Sequence, residues 1–201
     1  MIEQFHKMRE NIRERVNFEE RVNVITHSPG VLLGVLLYTM LLAKANTEGI
    51  ELHIAYFTYS LSFISVYMAS TLYHAAKDIS NKRLLKRIDH ACIYLFMAGC
   101  YTPFVVLNMD ETSKYWFLAL IWTIAAIGIF YKFNSKYKGS KLSLLLYFSF
   151  AFMCFFNWDN FLSKIPSDSF WLLVFGGAAY VIGAGFYMAK RIPYHHGIWH
   201  V

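Results

Sequence analysis

Three histidines, an aspartate and a serine in this sequence have the types and spacing to hold a metal ion and work beside it. They read Ser70-x-x-x-His74, Asp89-His90 and His196-x-x-x-His200. A four-residue step on a helix stacks two side chains on one face, so His196 and His200 can reach a single ion and Ser70 shares a face with His74. Three neutral imidazoles with one open position make the coordination of a catalytic zinc. His74 supplies the third imidazole from a facing helix, and Asp89 approaches from another. A carboxylate there suits a general base. A hydroxyl suits positioning water or meeting a developing oxyanion.

Each of these residues has a plainer reading. A lone histidine in a helix bundle usually just hydrogen-bonds a neighbouring helix. Four ionisable groups at one depth of an apolar chain argue for a site, because such groups are costly in a bilayer. His27 and His90 are further candidates, as ligands or as partners of ligands. Asn23 and Glu20 lie on the same approach, although Glu20 could equally face water. Imidazole also suits copper, iron and nickel. Without a nearby thiolate, zinc is the expected ion. Cys92, Cys100 and Cys154 lie in apolar stretches without a C-x-x-C pair and read as packing residues. Haem wants ligands from opposite sides, which a pair four apart does not offer.

The elements that must position these groups are apolar helices. The chain has 201 residues, 57% hydrophobic and 16% charged. Apolar residues come in blocks of the length that crosses a hydrocarbon core, about 20 residues. Six such segments run Asn23 to Ala43, Ile54 to Ala76, Ile88 to Asn108, Tyr115 to Tyr131, Leu142 to Trp158 and Phe170 to Ala189. A seventh begins near Tyr194 and reaches Val201, too short to span, so the expectation is a truncated last helix of a seven-transmembrane bundle. Continuous apolar blocks exclude a barrel, which would alternate. Short connections imply one antiparallel domain over 1–201. Its first 22 residues form a tail in which Ile2, Phe5, Ile12 and Val16 give a loose apolar stripe, readable as an interfacial helix.

Charge sets the expected orientation. Of 19 Lys and Arg, sixteen fall on one side: five through Arg21, then Lys77, Lys82, Arg83, Lys86, Arg87, then Lys132, Lys136, Lys138, Lys141, then Lys190 and Arg191. Only Lys44, Lys114 and Lys164 fall on the other. This bias predicts a cytoplasmic N-terminus in the plasma membrane. The net charge of +6 then reflects topology and anionic lipid, not nucleic acid. Trp116, Trp158 and Trp171 fall at the predicted outer ends, where indole rings favour the interface. The small residues Gly176, Gly177, Ala179, Gly183 and Gly185 of segment six suggest close helix packing, and Pro103 suggests a kink in segment three. The first twenty residues lack the apolar core of a signal peptide.

Glu20-x-x-Asn23-x-x-x-His27, Ser70-x-x-x-His74, Asp89-His90 and His196-x-x-x-His200, in that order over nearly the whole chain, resemble the hemolysin III family. That family is the bacterial branch of the progestin and adipoQ receptors, themselves similar to alkaline ceramidases. The resemblance implies seven helices around a zinc near the cytoplasmic side. It implies His74, His196 and His200 as ligands, with Ser70 and Asp89 matching the family's serine and aspartate. It also implies a hydrolase of lipid amides such as ceramide, the lipid entering from the bilayer. The rival expectations are a membrane lesion or pore, as the family name suggests, and a zinc-stabilised receptor or sensor without catalysis.

Overall fold

A computed structural model of the chain describes residues 2–45, 49–134, 141–153 and 164–200, which form helices and turns with no strand among them. In chain order the helices are α1 (Ile2–Ala45), α2 (Ile50–Ala75), α3 (Ile79–Asn108), α4 (Glu111–Asn134), α5 (Lys141–Ala151), α6 (Ser167–Met188) and α7 (His195–His200). Five are long and apolar enough to cross a membrane: α1 from Val16, α2, α3, α4 and α6. Leu32, Leu33, Leu36 and Met40 on α1, and Leu172 and Phe175 on α6, lie on the exposed surface. Apolar side chains facing outward along whole helices are what lipid selects, since every backbone group is already satisfied within the helix. The architecture is that of an all-helical, multi-pass membrane protein.

Neighbours in sequence are neighbours in space. α1 packs on α2, α2 on α3 and α3 on α4, while α7 lies between α6 and α1. At the end carrying the starts of α2 and α4, Lys114 Nζ meets Glu51 Oε2 at 2.6 Å and Glu111 Oε1 at 2.8 Å, and the Tyr115 hydroxyl donates to Glu51 Oε1 at 2.6 Å. This clamp holds α2 and α4 in parallel, with α3 running between them in the opposite sense. Trp116 and Trp171 are exposed on the first turns of α4 and α6. Trp158 lies outside the described residues.

Two helices begin well before the predicted segments. α3 starts at Ile79, not Ile88, and α1 continues from Ile2 through the expected tail, not from Asn23. Hydropathy marks where a helix meets lipid, but hydrogen bonding marks where it starts. For α3 that start is the Asp78 N-cap, whose carboxylate accepts from the Ser80 and Asn81 amides. The Ser80 hydroxyl, which also donates to it, and then these amides hold the exposed Asp78 carboxyl below the usual carboxylate range. Lys82, Lys86 and Arg87 therefore ride on helix, not on a loop. The other ends differ from prediction by a few residues, and α3 runs on through Pro103. Only Lys141–Ala151 of the fifth segment is helix among the described residues, and Cys154 falls outside them. Val16 is half exposed, and the Ile2, Phe5 and Ile12 side chains of the expected stripe lie outside the description.

The tightest packing is where α3, α4 and α5 meet, around Tyr94, Val105, Ile121, Ala125 and Phe150. In lipid this cohesion comes from van der Waals fit, not from escape of apolar surface from water. Gly128 makes the fit possible: a Cβ there would sit 2.5 Å from the buried Tyr94 ring. The expected small-residue stripe lies on α6. Gly176, Gly177 and Gly185 meet nothing among the described residues, and only Gly183 receives a neighbour, the Trp199 ring. The two kinds of glycine predict opposite results. Gly128→Ala overpacks the core and costs about 1–3 kcal/mol, read as a lower melting midpoint in detergent. Gly176→Ala leaves the midpoint unchanged or raises it, because Ala is the better helix former by roughly 1 kcal/mol.

Candidate functional site

The site is assembled from the middle of α1 and α3, the end of α2, and α7. His74 occupies the last turn of α2 and is buried. Its Nδ1 lies 2.7 Å from Glu20 Oε2 and 3.3 Å from the Asn23 amide nitrogen, both on α1. The short contact with a carboxylate assigns the Nδ1 proton to His74. Glu20 Oε1 lies 2.7 Å from Lys82 Nζ, so one carboxylate ties the α2 histidine to the first turns of α3. Lys82 and Lys86 also stand over the Tyr73 ring, at 5.3 and 5.9 Å from its centroid.

Asp89 and Ser70 face each other from α3 and α2. Both are buried, and the Ser70 hydroxyl hydrogen-bonds the Asp89 carboxylate. Asp89 also lies within electrostatic reach of His74. Its position is ten residues into α3, about 15 Å from the helix start at 1.5 Å per residue. The charged turns that carry Lys82 and Lys86 therefore stand between the site and the end of α3.

α7 supplies His196, whose ring centroid is 5.1 Å from that of His74 in an edge-to-face arrangement. Three features set this short helix. Tyr194 precedes it with φ of 58°, a left-handed conformation unusual for a bulky side chain, and its ring rests on Phe18 of α1 at 5.8 Å. Gly197 lets α7 lie directly on α1: a Cβ there would be 3.1 Å from Val22 Cγ1 and 3.4 Å from Asn23 Oδ1. Trp199 fills the space over Gly183 and meets the Tyr180 and Tyr187 rings at 5.5 and 5.9 Å. Tyr187 also contacts the His196 ring, at 5.6 Å.

Of the sequence-predicted residues, the fold thus gathers Glu20, Asn23, Ser70, His74, Asp89 and His196. His27 and His90 sit at the margins. The His27 ring packs against Tyr67 at 5.1 Å, and the His90 carbonyl accepts from the Tyr147 hydroxyl at 3.1 Å on the α5 side of α3. The His200 side chain lies outside the described residues. Among those described, no three His, Cys, Asp or Glu side chains converge closely enough to hold a metal.

Sequence reading missed Lys82, Tyr73, Tyr187 and Gly197. The signal for Lys82 was present: Asp78 with Ser80 and Asn81 is a helix start, and it brings the next lysine back toward the end of α2. Gly197, between His196 and His200, was legible only as spacing until α1 was seen against it.

A family model described as haemolysin-III related matches residues 16–201. The Hemolysin-3 homolog of Bacillus subtilis (strain 168) is 34% identical over 183 residues, covering 90% of this chain and 86% of that protein. Hemolysin-3 of Bacillus cereus is 32% identical, covering 91% and 84%. The monocyte to macrophage differentiation factor of Homo sapiens is 27% identical, covering 92% and 78%. No solved structure matches.

The seating of α7 on α1 predicts a cross-link. In a chain whose three native cysteines are replaced by serine, the pair Val22→Cys and Gly197→Cys forms a disulfide under mild oxidant. Maleimide–polyethylene glycol labelling measures it as loss of two reactive thiols. The pair Leu36→Cys and Gly197→Cys stays reduced.

Proposed function

The chain belongs to the haemolysin-III related family, and from that premise we propose that it is a zinc-dependent intramembrane hydrolase of a lipid amide or ester. On this reading seven helices enclose the centre, α5 and α7 completing the spans, with the N-terminus in the cytoplasm and the protein in the plasma membrane. His74, His196 and His200 hold the ion. The observation that carries the reading is the carboxylate–histidine pair Glu20–His74 set edge-on to His196. A ligating histidine characteristically gives its other ring N–H to a carboxylate, which fixes the tautomer and raises ligand basicity. With the proton on Nδ1, the His74 lone pair is on Nε2. That donor set, two imidazoles with a third expected from the same face of α7 and no thiolate, fits zinc.

The chemistry a bound zinc supplies is a water acidified to a pKa of about 7. The chain's own residues do the rest. Asp89 accepts a proton on its carboxylate and returns it to the leaving amine or alcohol. Ser70 donates to that carboxylate and so fixes which oxygen is turned to the reacting water. Glu20 accepts from His74 Nδ1 and so holds the ring. Lys82 neutralises the charge of Glu20 left over from the histidine contact. The apolar walls of α2, α3 and α6 accept the acyl chain from the bilayer.

The relatives' name favours a second reading, a membrane lesion. A water-filled path needs polar or charged rings along its length. The buried polar groups between the site and the far clamp are Ser60, Ser62 and Thr102, a short uncharged set among the described residues. Dye release from liposomes that persists in His74→Ala would select this reading. A receptor held together by zinc predicts instead that metal removal collapses thermal stability with no turnover to lose.

Protein purified without a polyhistidine tag is expected to carry zinc by elemental analysis and to release fatty acid from lipid amides or esters. His196→Ala abolishes both. Asp89→Asn retains zinc and lowers turnover by about 10²–10⁴-fold, the share of one general base. Glu20→Gln weakens zinc binding about 10–100-fold, as loss of a ligand's hydrogen-bond partner does elsewhere. Fatty-acid release undiminished in His196→Ala contradicts the proposal.

A further inference from the structure

The hydroxyl that the sequence offers for a developing oxyanion is already engaged. Ser70 bonds the Asp89 carboxylate, and an ionised carboxylate has no proton to donate. Lys82 is held by Glu20 at 2.7 Å. Hydrolysis of an amide or ester passes through a tetrahedral adduct, which is stabilised by a donor aimed at the oxygen where charge develops. Ser70 and Lys82 therefore leave that role to another side chain.

Tyr187 has the position for it. It lies half-buried in the last turn of α6, and its ring packs at 5.6 Å against the His196 ring and at 5.9 Å against that of Trp199. Its phenol is within electrostatic reach of Asp89 on α3 and of the Tyr73 phenol on α2. Among the described residues the Tyr187 hydroxyl makes no hydrogen bond, whereas a tyrosine hydroxyl away from water ordinarily finds a partner. One side chain thus touches a candidate ligand and faces the candidate base, with its donor unspent. Tyr73 shares the approach to Asp89, but its ring rests on its neighbour His74 and under Lys82 and Lys86.

We propose that Tyr187 is a further catalytic residue, the donor that meets the oxyanion of the tetrahedral adduct; the assignment rests on the hydrolase reading above. Water adds to the scissile carbonyl carbon and gives its proton to Asp89. The C=O π pair moves onto oxygen, where the Tyr187 O–H donates to it. Collapse restores the C=O bond and breaks the bond to nitrogen or ester oxygen, and the Asp89 proton goes to that leaving atom. Tyr187 keeps its own proton throughout.

The test uses the full, tag-free chain in phosphatidylcholine nanodiscs and the variant Tyr187→Phe, which keeps the ring against His196 and Trp199 and removes only the hydroxyl. Zinc content and melting midpoint should match the wild type. The kcat for a lipid amide should fall about 10²–10³-fold, the share of one oxyanion donor, with KM nearly unchanged. Hexadecylphosphonate, whose tetrahedral anionic oxygens stand in for the adduct, should bind about 10–100-fold more weakly in native mass spectra, the worth of one hydrogen bond to a charged group. Hexadecanol, which lacks those oxygens, should bind both proteins alike. An active wild type with kcat and phosphonate affinity unchanged in Tyr187→Phe overturns the donor and leaves the hydrolase standing. Lost zinc or a lowered midpoint in Tyr187→Phe makes the residue structural and overturns the assignment. Loss of phosphonate affinity in Tyr73→Phe instead moves the donor to Tyr73. A wild type that releases no fatty acid and binds no phosphonate overturns both the donor and the hydrolase.

Discussion

One carboxylate organises the candidate site. Glu20 on α1 touches His74 on α2 and Lys82 on α3, so three helices meet at a single charge. Each contact alone would be modest. A half-exposed pair such as Glu20–Lys82 contributes little by itself. Here the lysine neutralises a carboxylate that would otherwise oppose burial of the histidine beside it. The histidine in turn has its ring plane and proton position decided. Lys82 can reach this point because α3 begins at the Asp78 cap and not at the membrane boundary.

The bilayer imposes the second constraint. Polar groups within it must find partners or a function. At the far end, Lys114 finds Glu51 and Glu111 and acts as a brace between α2 and α4. At the site end, Ser70 bonds Asp89, and Lys132 bonds the Ser143 hydroxyl beside the Tyr147 ring. The same physics thus makes a brace of one polar position and a bonded pair of two others. Packing between these ends relies on close fit, which is why Gly128 and Tyr94 matter more than apolar area.

Much of this was readable from residues alone. Apolar block length located the five spanning helices, and the four-residue steps placed Ser70 with His74. The depth argument put His74, Asp89 and His196 at one level; the His74 and His196 rings lie 5.1 Å apart, and Asp89 bonds Ser70 one turn before His74. Helix starts were not readable from hydropathy, because a helix outside lipid is specified by its cap and its turns. The partner of Glu20 was hidden for that reason: Lys82 counts as a topogenic loop charge until α3 is extended past it. Of the α6 glycines, Gly183 meets a neighbour among the described residues, the Trp199 ring. The α1–α7 contact at Gly197 depends on two segments far apart in sequence, and spacing within either cannot reveal it.

The central claim is that imidazoles from α2 and α7 share one ion, with Glu20 setting the α2 ring from behind. X-ray absorption at the zinc edge of tag-free protein tests it most directly. The account predicts a first shell dominated by about three imidazole nitrogens at about 2.0–2.1 Å, lost in His74→Ala. A shell of oxygen or sulfur only, or one unchanged in His74→Ala, would contradict it.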